Sequence, residues 1–220
     1  MNVKLTHHSL SDWNFPAGSW ELYALRFISP LRCVRAYTDR TSGFTWIFLK
    51  DTLAPCITNG RIISHIWHRS GSSLFPKWCF RTQALPPGEG VIENNPDNCY
   101  QVIIDSGSVG HTRITIKRIA GQTPTQLYQD TNVAWPDAYR IWSKWRITWF
   151  SYIASNFTSV LRIIVDGWNG YGWQECVQID DSVNLWEDSG TNLVGICGFG
   201  WNVSDDFKDC IDDTEVWEET

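Results

Sequence analysis

The stretch Arg113-Ile-Thr-Ile-Lys-Arg-Ile119 alternates: Ile114 and Ile116 face one way, Arg113, Thr115 and Lys117 the other. A period of two is that of a half-buried β-strand. The same reading extends outward to Ser19–Phe27, Arg61–His68, Lys77–Gln83, Tyr100–Asp105, Trp145–Ile153 and Val160–Asp166, all rich in β-branched and aromatic residues. Turn signals separate these runs, among them Thr58-Asn-Gly60, Pro86-Pro-Gly-Glu-Gly90, Asn94-Asn-Pro-Asp97 and Asp166-Gly167. No window shows a convincing helical period; Pro136–Ser143 makes one or two turns at best. Many short strands at this spacing predict an all-β sandwich or barrel. The expectation is one domain over residues 1–220, with a long loop at about 84–98.

With 43% apolar and 19% charged residues, the chain is not a disordered one. Membrane insertion is not expected, since even the charge-free stretch between Arg146 and Arg162 is interrupted by Ser, Thr and Asn. The net charge of −6 is segregated. Residues 205–220 carry eight acidic side chains against Lys208, leaving the rest of the chain at +1. Its Arg and Lys are scattered through strand-like runs, which argues against nucleic acid as a partner. The acidic end reads either as a solvated edge or tail, or as a cation site.

The N-terminal Met1-Asn-Val-Lys-Leu-Thr-His-His lacks the apolar core of a secretory signal. Seven cysteines nevertheless suggest an oxidising compartment, and two sequons occur, Asn156-Phe157-Thr158 and Asn202-Val203-Ser204. The expected location is extracellular or on a virion surface, with an intracellular one still open. Local disulfides Cys33–Cys56, Cys79–Cys99 and Cys197–Cys210 would each bridge neighbouring strands. Buried unpaired thiols acting as small hydrophobes are the alternative.

The C-terminal half carries a run of short motifs. They are Tyr139-Arg-Ile-Trp-Ser-Lys-Trp-Arg-Ile-Thr-Trp149, Val160-Leu-Arg-Ile-Ile-Val-Asp166, Asn192-Leu-Val-Gly-Ile-Cys-Gly198 and Cys210-Ile-Asp-Asp-Thr-Glu-Val-Trp217. This order resembles concanavalin A-like (laminin G-like) jelly rolls, most clearly over residues 140–217. The resemblance implies a two-sheet antiparallel jelly-roll sandwich whose final strand, about 208–218, returns beside the first. It also implies a candidate structural Ca²⁺ near Asp212 or Asp213, since hard oxygen ligands suit that ion. Family members include lectins, adhesins, viral proteins and glycan-cleaving enzymes. The E-x-D-x-x-E pattern of glycosidases with this fold is absent here; Asp213-x-Glu215 is the nearest spacing.

His65-x-x-His68 lies in a strand-like run, where odd spacing sends the two imidazoles to opposite faces. The tryptophans say more. Fourteen exceed what a core of this size usually needs. Trp20, Trp46, Trp67, Trp142, Trp145 and Trp149 sit in strand-like runs and read as core. Asp166-Gly-Trp-Asn-Gly-Tyr-Gly-Trp-Gln174 reads instead as a hairpin tip carrying Trp168, Asn169, Tyr171, Trp173 and Gln174. Trp186 and Trp201 sit in similarly polar surroundings. Aromatic faces beside amides suit a pyranose, which stacks its C–H face and hydrogen-bonds its hydroxyls.

The expected function is therefore non-catalytic surface recognition, with a glycan or cell-surface polysaccharide as partner. A structural or receptor-binding subunit of a virion or surface assembly, possible as a homo-oligomer, is the alternative. A glycan-degrading enzyme is a weaker one.

Overall fold

The computed structural model describes residues 2–5, 13–17, 19–23, 33–37, 43–49, 56–67, 76–85, 96–106, 111–133, 142–200 and 210–219. Among them every regular element is a strand, numbered here in chain order. Among the described residues no helix is long and apolar enough to cross a membrane.

One sheet has eight strands. Its order is β13 (Trp173–Asp181), β12 (Ser159–Trp168), β11 (Trp142–Ile153), β6 (Gly60–Trp67), β15 (Cys210–Glu218), β4 (Cys33–Tyr37) and β3 (Ser19–Tyr23). The eighth, β1 (Asn2–Leu5), also pairs with β15. The other sheet has seven: β10 (Thr123–Val133), β9 (Thr112–Ala120), β8 (Cys99–Ser106), β7 (Lys77–Thr82), β14 (Leu193–Gly200), β5 (Gly43–Leu49) and β2 (Trp13–Ala17). Every pairing between strands is antiparallel.

The period of two does what it predicts. In β6, and in β11 as far as Trp149, burial alternates strictly, turning Ile62, Ser64, Ile66, Trp145, Ile147 and Trp149 toward the facing sheet. One core cluster draws on both sheets, from Trp13 to Val216. Three of its indoles find acceptors: Trp78 donates to Ser64 Oγ at 2.8 Å, Trp145 to Ser143 Oγ at 2.9 Å and Trp149 to the Ile57 carbonyl at 3.4 Å. Buried serines in such a core are thus explained by the tryptophans they serve. Phe80 stacks between Trp149, at 4.6 Å, and Tyr100, at 5.7 Å. Gly60 is required where β6 meets β15, because a Cβ there would lie 2.7 Å from the Trp217 carbonyl oxygen.

A second apolar cluster lies on the opposite face of the seven-stranded sheet. Trp46, Phe48, Cys79, Cys99, Ile119, Leu193 and Cys197 are all buried there. That sheet is therefore buried on both faces around β5, β7 and β14, which strict alternation does not predict.

Several expectations are corrected. The acidic closing strand does not lie at an edge: β15 sits between β6 and the pair β4 and β1. Its return beside the first strand is as the resemblance implies. The expected disulfides do not form. Cys79 and Cys99 are buried thiols, and Cys56 donates its thiol to the Ser189 carbonyl at 3.2 Å. Cys197 and Cys210 stand on strands of different sheets and are not bridged. Burial pushes the Cys79 thiol up to about 12 and raises Cys99 as well, so both stay protonated. The helical turn expected over 136–143 gives way to β11 from Trp142 onward; residues 134–141 lie outside the described residues. Most of the expected loop at 84–98, residues 86–95, also lies outside them.

Candidate functional site

The β12–β13 hairpin ends in a tight turn whose residues match their conformations. Gly170 adopts φ of 94°, open to glycine and strained for other residues. Asn169 Oδ1 accepts the backbone N–H groups of Tyr171 at 2.9 Å and Gly172 at 3.0 Å, closing the loop. The Asn169 oxygen is therefore spent on the turn, and its Nδ2 is the part able to meet a ligand.

Trp168 and Trp173 face each other across the hairpin in direct register. Their rings meet edge-to-face with centroids 5.5 Å apart. From β11, Lys144 brings its ammonium to 5.5 Å from both ring centroids. Arg146 lies over the Trp173 ring at 4.6 Å, while its Nε donates to Asp166 Oδ2 at 2.8 Å. One face of Trp173 is thus taken by Arg146. Among the described residues Lys144 makes no ion pair with a carboxylate, so its ammonium keeps N–H donors to offer. Tyr171 is 98% exposed and Trp168 38% exposed, while Gln174 and Glu175 face solvent beside them. Next along, Cys176 occupies a bulge opposite Val165–Asp166. Burial pushes its thiol up to about 11.

The structure brings Trp168, Asn169, Tyr171, Trp173 and Gln174 together at this tip. Trp186 is not among them. It lies at the opposite end of β12, edge-on to Tyr100 with ring centroids 5.5 Å apart. Trp201 lies outside the described residues. Of the tryptophans read as core, Trp46, Trp145 and Trp149 are fully buried, joined by Trp13 and Trp78. Trp67 and Trp142 are only half-buried.

Sequence reasoning missed the polar centre around Trp186. Arg81 is buried there in the left-handed conformation, φ 49°. Its Nε donates to the Thr58 carbonyl at 2.8 Å. Nη1 donates to Asn184 Oδ1 at 2.6 Å and the Leu185 carbonyl at 3.2 Å, Nη2 to Ser151 Oγ at 2.6 Å and Asn59 Oδ1 at 3.4 Å. A guanidinium has five N–H donors, and all five are used. Nearby, the Tyr100 hydroxyl donates to Asp181 at 2.7 Å and accepts the Leu185 N–H at 3.0 Å, while Arg118 donates to both Asp181 oxygens. Burial raises the Tyr100 pKa, and the bond to Asp181 raises it further. These contacts bind residues 182–192, which carry the chain from one sheet to the other.

No protein-family profile matches this chain, and no curated protein matches it in sequence. Solved structures do match its shape. The exoplasmic/lumenal domain of VIP36, in its Ca²⁺/Man3GlcNAc-bound form, superposes with a TM-score of 0.62 at 14% identity, covering 100% of this chain and 88% of that one. The potassium-bound carbohydrate recognition domain of Emp46p gives 0.59 at 10% identity, covering 96% and 90%. Lectin UEA-II complexed with galactose gives 0.59 at 10% identity, covering 99% and 98%. The fold is the concanavalin A-like jelly roll.

Within this jelly roll the acidic pair on β15 was the candidate calcium site. Asp212 is fully buried and its Oδ1 accepts the Asp213 backbone N–H at 2.9 Å, while Asp213 takes φ of 45° beside a bulge. Calcium takes six to eight oxygens. Among the described residues no three His, Cys, Asp or Glu side chains converge as a metal site. His65 stands opposite Asp212 in register. Its partner His68 lies outside the described residues.

Proposed function

We propose that this jelly roll is a non-catalytic glycan-binding module acting in an extracellular or lumenal setting, with the β12–β13 tip as its sugar platform. The observation that carries the reading is the set of side chains left unspent there. Tyr171 and Trp168 offer exposed rings, Lys144 and the Asn169 and Gln174 amides offer donors, and Glu175 offers an acceptor. A pyranose needs this combination: a flat apolar face, and polar groups for its hydroxyls. Structures of the same fold hold sugars, mannose-containing in VIP36 and galactose in UEA-II, which supports the class of ligand.

The test is a glycan array followed by titration of any sugar that binds. Tyr171→Ala should weaken binding about tenfold, the equivalent of about 1.4 kcal/mol for one lost stacking contact. Its melting temperature should not move, because the ring touches nothing in the fold. Unchanged affinity in this variant and in Trp168→Ala, on a sugar the native chain binds, would overturn the platform.

The second reading, an assembly subunit, draws on β13, which among the described residues pairs only with β12. Mass measured at low and high concentration separates the two, since an obligate assembly favours the subunit reading.

A further inference from the structure

The β11–β12 hairpin ends in residues 154–158, which contain the sequon Asn156-Phe157-Thr158. Its frame is tight: Ala154 N–H donates to the Thr158 carbonyl and Phe157 N–H to the Ala154 carbonyl, each at 2.9 Å. Asn156, Phe157 and Thr158 all face solvent. Asn156 Oδ1 accepts the Thr158 backbone N–H at 3.2 Å and the Thr158 hydroxyl at 2.6 Å. The amide oxygen is thereby held against the hydroxyl, while among the described residues Nδ2 has no protein acceptor.

Two side chains here serve no purpose in the fold. Phe157 is 90% exposed, and it holds φ of 63°, a conformation glycine or asparagine would take at lower cost. Ile153, at the end of β11, is 65% exposed. Together they make a small apolar knob at a hairpin tip that the protein itself leaves uncovered.

We infer that Asn156 is an N-glycosylation site and that the attached sugar covers this knob. The Asn156 Nδ2 attacks the anomeric carbon of a lipid-pyrophosphate-linked oligosaccharide. The Nδ2–C1 bond forms, and the bond from C1 to the pyrophosphate oxygen breaks. The lipid pyrophosphate leaves with the bonding electrons, and one amide proton passes to a base of the transferase. The Thr158 hydroxyl, donating to Oδ1, draws electron density from the amide and makes that N–H more acidic. The acceptor lies at the opposite end of β12 from Trp168, about 30 Å away along a strand of this length. A glycan there leaves the sugar platform open.

The inference rests on the extracellular or lumenal setting proposed above, so the test supplies that setting. The full chain is secreted from eukaryotic cells behind a cleavable signal. It is then deglycosylated enzymatically in heavy-oxygen water and mapped by peptide mass spectrometry. Asn156 should appear as heavy-oxygen aspartate. Asn156→Gln and Thr158→Ala should each remove one glycan from the gel mobility, and Thr158→Ser should retain it. Secreted chain with Asn156 unmodified, whether or not Asn202 carries sugar, overturns the inference. The natural compartment is checked separately by locating the untagged chain in its own cells, so failure of the setting and failure of the site are distinguishable.

Discussion

The two ends of β12 carry the two richest polar and aromatic constellations described in this molecule, and they are built on opposite principles. At the Ser159 end every donor of Arg81 is consumed by the fold, and Asn184, Ser151, Ser159 and Glu187 close the network around it. At the Trp168 end the turn is satisfied but the side chains above it are not. A buried, fully used network fixes a structure. An exposed set with spare donors and ring faces is where a ligand gains something the protein has not already taken.

The difference can be broken most severely at Arg81. Arg81→Met should cost about 3–5 kcal/mol in urea denaturation, because five acceptors lose their donor in a site water does not reach. Glycan affinity of the fraction that remains folded should be unchanged. A loss of affinity beyond the loss of folded protein would show that the two ends are coupled. Tyr100→Phe removes one hydroxyl that both donates to Asp181 and accepts from Leu185 N–H, and should cost about 1–3 kcal/mol.

Smaller effects belong to the other end. A double-mutant cycle on Trp168 and Trp173 should return a coupling of about 0.5–1.5 kcal/mol for the edge-to-face pair. A coupling near zero would leave the indoles unbound to each other and make the platform's geometry untenable.

Acidity sharpens the comparison further, because the ends titrate in different windows. His65 lies beside Lys144 in register, and burial, helped by that ammonium, lowers its pKa below the ordinary 6.5 despite opposing pulls from Asp213, Asp212 and Glu215. The unfolded chain therefore binds this proton more readily than the folded one. Stability present above pH 6.5 is lost progressively as pH falls from that value through the lowered pKa. His65→Gln should flatten thermal stability between pH 7 and about pH 5. At the far end, the Arg162 guanidinium and the Tyr152 hydroxyl hold Asp180 below its ordinary 3.8. That contribution persists above 3.8 and is lost only as pH falls through the lowered pKa, so Asp180→Asn should change the acid limb alone.

Much of this architecture is legible in the sequence, for a physical reason. Strands buried on one face, such as β6 and β11 as far as Trp149, show their period directly. The edge strand β10 does not: most of its side chains face water, Pro124 sits within it, and two register shifts break its alternation. The tip at Trp168 is visible because it is local, nine consecutive residues with turn chemistry. The Arg81 centre is invisible because its partners come from residues 58–59, 151 and 184–185, and no spacing rule joins them. Trp186 misleads for the same cause: polar neighbours in sequence look like a surface, but in space they are the network it packs beside.

The interior position of β15 has a consequence for synthesis. A ribosome delivers the chain from its N-terminus at about 5–20 residues per second. Strands β1, β4 and β3 then wait through nearly the whole chain for the partner that links them to β6. Until Cys210–Glu218 emerges, β1 alone and the pair β3 and β4 have no strand joining them to β6. A chain that stalls shortly before these residues exposes a strand-shaped slot, and a free peptide of the β15 sequence would be the natural competitor for it.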